Sequence, residues 1–401
     1  MSRPRIIFLL FLWGLASCAP RIPYPATPAG STLRDFYEAK RPDRLELDSP
    51  EQRADLEKAY ANLDHINDPA TRESLKPAML AIIRHDDSDR ALHVAYLLCQ
   101  WDHTLPRTAP EFRHLLPALA RGLDAPNETD PDRPPQREWS ALGSAFLFGQ
   151  MGAEAAHPEL NAIARRFHER LRYPIEGESP EAWTRYTLAK LLSMMGKDGI
   201  AALIDSLDGP PEVWHFAREA LAEAAHFDER EVTNSFVTVT RAQLTSSTQA
   251  LHEAMPQIVE RLWDRNAQKA GMAAELLPSV VKSEELTPRM RQRLLDLLAD
   301  EDAYERVARM LALYHPVFTP ALLDYVTKPQ DPHHQGAMLA IRAILRPDPE
   351  KPNAFLEALQ RLAIKDPDAE VRAAASAAYE ELVRGAVDVP PTRGVGPFRP
   401  F

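Results

Sequence analysis

The fold class of this chain is decided by residues 359–382, LQRLAIKDPDAEVRAAASAAYEEL. Apolar residues recur at helical spacing on both sides of the turn 366–368, Asp-Pro-Asp. The two apolar stripes are Phe355, Leu359, Leu362 and Ala363, followed by Val371, Ala374, Ala375, Ala378 and Leu382. A helix with one apolar stripe must bury that stripe against a neighbour. The stretch therefore predicts two antiparallel helices that pack on each other.

Weaker copies of this pattern, in which two apolar helical stripes flank a turn, lie upstream. Their turns are at 86–89, 208–211, 300–302 and 331–332. Residues 359–382 resemble a HEAT repeat, in which the Asp caps or braces the turn and a Val-Arg pair, here Val371 and Arg372, begins the inner helix. The resemblance implies an all-α solenoid of stacked antiparallel helix pairs, which we expect over residues 51–386.

The N-terminal segment has the three parts of a secretory signal. Arg3 and Arg5 precede the apolar run 6–13, and small residues follow that run. The run is too short to span a bilayer as a permanent helix. Residues 1–17 are therefore predicted to be a removable targeting segment.

The end of this segment, Leu15-Ala16-Ser17-Cys18, resembles the lipobox of bacterial lipoproteins. The resemblance implies cleavage between Ser17 and Cys18, diacylglycerol on the Cys18 thiol, and an acyl chain such as palmitate on its amine. Ala19 follows where an Asp would favour the inner membrane, so the outer membrane of the bacterial cell envelope is the expected location. The alternative is an ordinary cleaved signal with an incidental cysteine.

Four further segments interrupt or flank the helical pattern. Residues 18–50 are rich in proline and are predicted to be a flexible, disordered tether, and residues 387–401 an irregular tail. Residues 124–136 are predicted to form a long polar loop. Residues 232–240 alternate apolar and hydroxyl residues, are rich in β-branched types and are the only candidate strand, although a loop or helix is preferred there.

The composition excludes some classes of partner. The formal charge is −11, and removal of Arg3 and Arg5 takes it to about −13. Nucleic acid is therefore not expected as a partner, because phosphate binding needs clustered positive charge. Cys99 is the second of only two cysteines, which excludes a disulfide framework. Its place in an apolar helical series predicts burial rather than reactivity.

No catalytic motif is present among HExxH, GxSxG, Walker A and paired CxxC, and no catalytic residue, metal or cofactor is predicted. The densest group of possible cation ligands is His85, Asp86, Asp87 and Asp89. Such residues before a helix more often cap its free N–H groups, and we prefer that interpretation here and for His333 and His334. A site assembled from distant residues stays open.

The tryptophans at 101, 139, 183, 214 and 263 are spread along the repeats. They are predicted to fill space between helices, and the alternative is a groove that stacks on sugar or peptide.

The first functional hypothesis is a non-catalytic scaffold or adaptor, held on the membrane by its N-terminal lipid and presenting its surface to an envelope protein partner. The family resemblance implies this role. The second is an envelope enzyme with a helical domain that acts on glycan or peptide, which a carboxylate pair in a deep cleft would favour. The third is a structural component of the cell surface.

Overall fold

The computed structural model describes residues 22–38, 58, 61–125, 140–169, 179–227, 241–344 and 354–388. Every regular element within these ranges is helical, which confirms the predicted all-α class. Cys18, the signal segment 1–17, the candidate strand 232–240 and most of the loop 124–136 lie outside the described residues. Within the described ranges, no helix combines the length and the apolar character needed to cross a membrane.

The chain divides into two compact units, with the boundary between Met195 and Gly196. The helices of the first unit are α1 (Pro28–Glu38), α2 (Pro69–His85), α3 (Asp89–Trp101), α4 (Leu105–Thr108), α5 (Glu111–His114), α6 (Leu116–Gly122), α7 (Ala141–Met151), α8 (Ala153–Ala156), α9 (Leu160–His168) and α10 (Pro180–Ser193). In this unit α2 packs on α3, α3 on α7 and α7 on α10, while α6 packs on α7 and α9 on α10.

The helices of the second unit are α11 (Gly196–Ser206), α12 (Pro211–Ala224), α13 (Arg241–Glu260), α14 (Ala267–Val280), α15 (Pro288–Asp296), α16 (Tyr304–Leu313), α17 (His315–Val326), α18 (His334–Ile344), α19 (Ala354–Lys365) and α20 (Ala369–Asp388). Short 3-10 turns lie at Arg261–Trp263, Ser283–Glu285 and Leu297–Ala299. Each helix of the series α12, α14, α16, α18 and α20 contacts the next helix of the series. Helix α11 packs on α13, and α17 on α19.

Most of the predicted apolar stripes form the core. Fully buried members in the second unit include Leu203, Leu221, Leu294, Val307, Leu322, Ile341 and Leu359. In the first unit, Leu75, Met79, Ile82 and Ile83 of α2 are buried against the stripe of α3 that contains Cys99. Burial of one such side chain stabilises the fold by about 1.5–3 kcal/mol. These stripes therefore position the helices on which the polar side chains lie.

Aspartates organise several of the turns between helices, including the predicted turns at 86–89, 300–302, 331–332 and 366–368. In six turns an Asp Oδ1 accepts the backbone N–H of the residue two positions later, at 2.8–3.0 Å. The six aspartates are Asp86, Asp102, Asp264, Asp300, Asp331 and Asp366. Such a bond lets the backbone reverse direction while its N–H group stays satisfied.

The last turn is also braced by Arg372, the second residue of the Val-Arg pair. Arg372 Nη1 donates to the backbone oxygens of Asp366 at 2.8 Å and of Pro367 at 3.0 Å. Arg72 makes an equivalent bond to the oxygen of Ile66 at 2.6 Å, also six residues upstream. A hydrogen bond from an arginine side chain to a backbone oxygen six residues upstream thus braces turns near both ends of the described chain.

The prediction of a flexible, disordered tether is wrong for residues 28–38, because these residues form helix α1. Leu33 and Phe36 are buried, and the Phe36 ring meets the His93 ring edge-on at 6.3 Å between centroids. The Thr27 hydroxyl accepts the N–H of Gly30 at 3.1 Å and so helps to begin the helix. Two apolar side chains at helical spacing, together with this cap, are sufficient to anchor the segment despite the nearby prolines.

Two residues of the predicted apolar stripe of α20, Val371 and Ala374, are not fully buried. Val371 was expected to be buried within its helix pair, but it is half-exposed, whereas Ala375, Ala378 and Leu382 are buried. Val371 lies in the first turn of α20, and the buried residues begin one turn later. Glu380 is exposed, as its position off the apolar stripe predicts.

Candidate functional site

The acidic group before α3 forms structural bonds. Asp86 accepts the hydroxyl of Ser88 at 2.6 Å and that of Tyr37 at 3.0 Å, and Asp87 forms an ion pair with Arg121 at 2.6 Å. Ser88 is the N-cap of α3 and accepts the N–H of Ala91. The capping interpretation is confirmed, although the capping side chain is Ser88 rather than an Asp. No group of three or more His, Cys, Asp or Glu residues in the described ranges is arranged to hold a metal ion.

The two adjacent histidines contact different groups. The Nδ1 atom of His333 lies 2.6 Å from Asp331 Oδ1, and its ring stacks on the Tyr325 ring at 4.5 Å. The Nδ1 atom of His334 lies 3.2 Å from the backbone oxygen of Tyr325. Both rings therefore contact the turn before α18, but neither caps a backbone N–H group of that helix; Asp331 Oδ1 accepts the N–H of His333 at 2.9 Å instead.

The tryptophans have separate local partners. Trp214 is buried and donates its indole N–H to the oxygen of Gly209 at 3.1 Å. Arg72 lies over Trp101 and Arg289 over Trp263, while Trp183 meets Tyr186 edge-on. Trp139 lies outside the described residues. These contacts support the prediction that the four described tryptophans serve local packing.

Cys99 is fully buried in α3, as predicted. Burial raises the pKa of its thiol far above the usual range, and the nearby Asp102 adds to this shift. Since the thiolate is the reactive form, Cys99 is not a nucleophile at neutral pH.

The most unusual arrangement of charge in the second unit surrounds Glu275 of α14. Its carboxylate has an exposed fraction of only 10% and lies between Arg218 of α12 and two arginines of α16, Arg306 and Arg309. The shortest N–O distances to these arginines are 3.7, 3.1 and 3.5 Å, respectively. We call these four residues the Glu275 cluster.

Close packing of α14 on α16 brings this cluster together. A Cβ atom at Gly271 would stand 3.3 Å from Ala303 and 3.4 Å from the Arg306 side chain. Glycine at this position therefore lets α16 approach until Arg306 reaches Glu275. Arg306 and Arg309 are three residues apart and so project from the same side of α16.

The surroundings of the cluster leave it basic. Partial desolvation and the charge of Arg218 lower the pKa of the His215 imidazole, whose side chain is otherwise exposed, and this favours the uncharged ring at pH 7. The His215 ring lies 3.6 Å from Glu219, four residues later on α12. The guanidinium groups of Arg218, Arg306 and Arg309 stand against the carboxylates of Glu275 and Glu219. The arginines of the cluster can therefore attract a carboxylate of another molecule, although the chain as a whole has a formal charge of −11.

An exposed apolar side chain borders the cluster. Leu313 has an exposed fraction of 70% and follows Arg309 by four residues on α16. Residues four apart on a helix are neighbours on its surface, with about 5–6 Å between their Cβ atoms. The candidate site thus combines arginine donors with one apolar contact.

The second unit also contains an open cleft of about 590 Å³ beside Trp263. Asp264, Asp296 and Asp300 line it together with Arg289 and other polar residues. Arg289 lies over the Trp263 ring at 4.8 Å, so that face of the indole is already covered. The cleft is wide and polar and lacks the enclosure that a catalytic carboxylate pair needs.

The first unit contains a buried ionic cluster between α9 and α10. Glu181 accepts hydrogen bonds from Arg166 at 2.5 Å and Arg185 at 2.7 Å, and all three side chains are nearly inaccessible. Arg185 also donates to the backbone oxygens of Phe167 and Glu169. Burial lowers the pKa of Arg185, and the Glu181 carboxylate opposes this shift. The cluster ties α9 and α10 together.

Sequence reasoning missed the Glu275 cluster. Its residues come from three helices, and Arg218 and Glu275 are separated by more than 50 positions. The pair Arg306 and Arg309 was a signal of a basic helix face, but nothing in the sequence places Glu275 beside it. Lipidation at Cys18 and cleavage after Ser17 stay predictions, because both residues lie outside the described ranges.

Compared with known proteins, the chain matches no family model, and no curated protein is significantly similar to it.

Proposed function

We propose that this chain is a lipid-anchored protein of the bacterial envelope whose helical body is a non-catalytic scaffold or adaptor for a protein partner. The leader sequence supports the anchor, with cleavage after Ser17 and lipid on Cys18. Ala19 supports the outer rather than the inner membrane.

We further propose that the helices form a solenoid of stacked antiparallel pairs. The contact series α12, α14, α16, α18 and α20 supports this arrangement, because alternate helices of such a stack lie side by side. The aspartate bond that recurs in six turns is further support, since repeated units reuse the same turn chemistry. Small-angle scattering from the full-length protein would contradict the proposal if it gave a globular profile.

The Glu275 cluster is the observation that carries the binding role. It spans three successive helices of the series and presents arginines beside an exposed leucine. Arginine is enriched at protein interfaces because its planar group binds carboxylates with two hydrogen bonds and also packs on apolar surfaces. A surface of this composition suits recognition of another protein.

Lipid anchoring is tested with Cys18→Ser in a bacterial host. We expect the variant to leave the membrane fraction and to lose labelled palmitate, while globomycin causes the wild-type precursor to accumulate. Cys99→Ser is the matched control, because it removes the buried cysteine and retains the lipobox. Membrane association of Cys18→Ser that survives high-salt washing would contradict lipid as the sole anchor.

Partner binding is tested by photo-crosslinking in intact cells. The photoreactive amino acid replaces Leu313 in one strain and Ile364 in another, since both side chains are exposed. A discrete crosslinked protein from either position supports the scaffold role. Absence of such a product from both positions, in cells that contain the folded and lipidated protein, would contradict it.

A further inference from the structure

We propose that the Glu275 cluster, together with Leu313, binds a short acidic segment of the protein partner in which carboxylates lie beside an apolar side chain. This inference rests on the proposed scaffold function for the existence of a partner. It adds the place where the partner docks and the chemistry that recognises it.

The first argument is the excess of hydrogen-bond donors in the cluster. Each guanidinium group has five N–H donors, whereas one carboxylate has about four acceptor positions. Arg306 makes a hydrogen bond to Glu275 at 3.1 Å, but Arg218 and Arg309 approach it only at 3.7 and 3.5 Å. The donors of three arginines therefore exceed what Glu275 can accept. A partner carboxylate would accept some of the remaining donors in a bidentate, charge-assisted pair.

The second argument is preorganisation. The side chains of Arg218 and Arg306 have exposed fractions of 28% and 36%, so neighbouring groups limit their movement. Glu275 holds both guanidinium groups near one position before any ligand arrives. A ligand then loses less conformational entropy on binding than it would with free surface arginines. Arg309, with an exposed fraction of 64%, is the arginine most accessible to the ligand.

The third argument concerns size and the apolar contact. All three guanidinium groups converge on one carboxylate, and Leu313 lies one helical turn beyond Arg309. The patch therefore extends over roughly 12 Å, which an extended peptide crosses with about four residues. The matching segment has two carboxylates followed by an apolar side chain within about that length.

An anionic lipid surface fits this patch less well than an acidic peptide. The formal charge of the chain is −11, so a negatively charged bilayer would repel the protein as a whole. Glu219 lies beside the cluster and further limits the basic area. A narrow segment avoids these negative charges, whereas a broad membrane surface meets them.

The inference is tested by fluorescence anisotropy with the full-length lipidated protein in neutral detergent micelles. The probe is a fluorescein-labelled peptide of eight residues with paired glutamates and leucines. Two matched peptides replace the glutamates by glutamines or the leucines by serines. We expect the acidic peptide to bind, the glutamine peptide to show no binding, and the serine peptide to bind more weakly. Affinity for the acidic peptide should fall as the salt concentration rises.

Arg309→Glu should weaken binding of the acidic peptide at least tenfold, because it converts the most accessible donor group into a repelling charge. The control is Arg361→Glu, which makes the same change of charge at an exposed position of α19. Absence of binding, or an equal loss in both variants, would overturn the inference. So would Arg309-dependent binding to phosphatidylglycerol vesicles without binding to the peptide.

The scaffold function and the acidic-segment inference are contradicted by different experimental results. A partner that crosslinks at position 364, combined with no peptide binding, would overturn the acidic-segment inference and leave the scaffold function supported. Absence of crosslinks at both positions would contradict the scaffold function itself.

Discussion

The backbone of Gly336 lies so close to Leu298 that a Cβ atom at position 336 would stand 2.6 Å from the Leu298 carbonyl oxygen. The same atom would stand 3.0 Å from Leu298 Cδ2. Gly336 belongs to α18, and Leu298 to the 3-10 turn Leu297–Ala299 that α18 packs against. Glycine is thus required for the approach of these two elements, since a backbone oxygen cannot move aside as the end of a side chain can.

We expect Gly336→Ala to lower the free energy of unfolding by about 1–2 kcal/mol. Overpacking typically costs about 1–3 kcal/mol, and the gain in helix propensity from Gly to Ala offsets up to about 1 kcal/mol of this. Urea denaturation followed by circular dichroism measures the change.

Gln335→Ala is the control, because Gln335 is an exposed neighbour on the same helix. That variant should change stability by no more than about 0.5 kcal/mol. A Gly336→Ala protein as stable as the wild type would show that α18 does not pack this closely on the turn.

The buried ionic cluster gives a second prediction. Glu181→Leu leaves Arg166 and Arg185 in the interior without the carboxylate that both contact. We expect a loss of about 3–5 kcal/mol, because an uncompensated buried charge is costly. Thermal and urea denaturation of the full-length protein measure this loss.

Two comparisons distinguish burial of charge from loss of packing. Glu169→Ala removes a largely exposed carboxylate that also pairs with Arg166, and it should cost no more than about 1 kcal/mol. Replacing Arg166 and Arg185 by methionine together with Glu181→Leu should recover much of the lost stability, since well-packed apolar residues often substitute for a buried ionic cluster. Equal stability of Glu181→Leu and the wild type would contradict the cluster.

Periodicity in the sequence was sufficient to predict the helices but not which residues of each apolar stripe are buried. Val371 and Leu382 belong to one stripe, yet Val371 is half-exposed and Leu382 buried. A stripe shows which face of a helix turns inward, whereas burial depends on which neighbours extend over each turn. Helix α20 packs on α17, α18 and α19, and these contacts bury Ala375, Ala378 and Leu382 more completely than Val371 in its first turn.

Polar side chains were predictable where their partners are close in sequence. The aspartate turns and the Arg372 brace involve residues two to six positions apart, so the sequence contains both members of each bond. The Glu275 cluster depends instead on the packing of α12, α14 and α16. Gly271 lies in close contact with Ala303 and Arg306 in that packing, a contact that is visible only in the structure.

The third prediction concerns the pH dependence of stability through Asp102. This carboxylate follows α3 and accepts the hydroxyl of Thr104 at 2.6 Å and the ammonium group of Lys76 at 3.1 Å. The hydrogen bond from the Thr104 hydroxyl lowers the pKa of Asp102, and Lys76 adds to this effect, while burial opposes it. The folded state therefore binds the Asp102 proton more weakly than the unfolded state, in which the pKa is about 3.9.

Because the folded pKa of Asp102 is the lower one, its contribution to stability is complete above about pH 4 and is lost as the pH falls through the folded pKa. We expect Asp102→Asn to reduce the free energy of unfolding by about 1 kcal/mol at pH 7. The difference in free energy of unfolding between Asp102→Asn and the wild type should stay constant from pH 7 to pH 5 and should become smaller below about pH 4. Urea denaturation at each pH measures it. Thr104→Val removes the hydroxyl donor, so in that background the folded pKa of Asp102 lies closer to the unfolded one, and the pH-dependent part of the difference should be smaller and should be lost over a narrower pH range. A difference that is unchanged down to pH 2.5, or that widens on acidification, would contradict the role assigned to the charged form of Asp102.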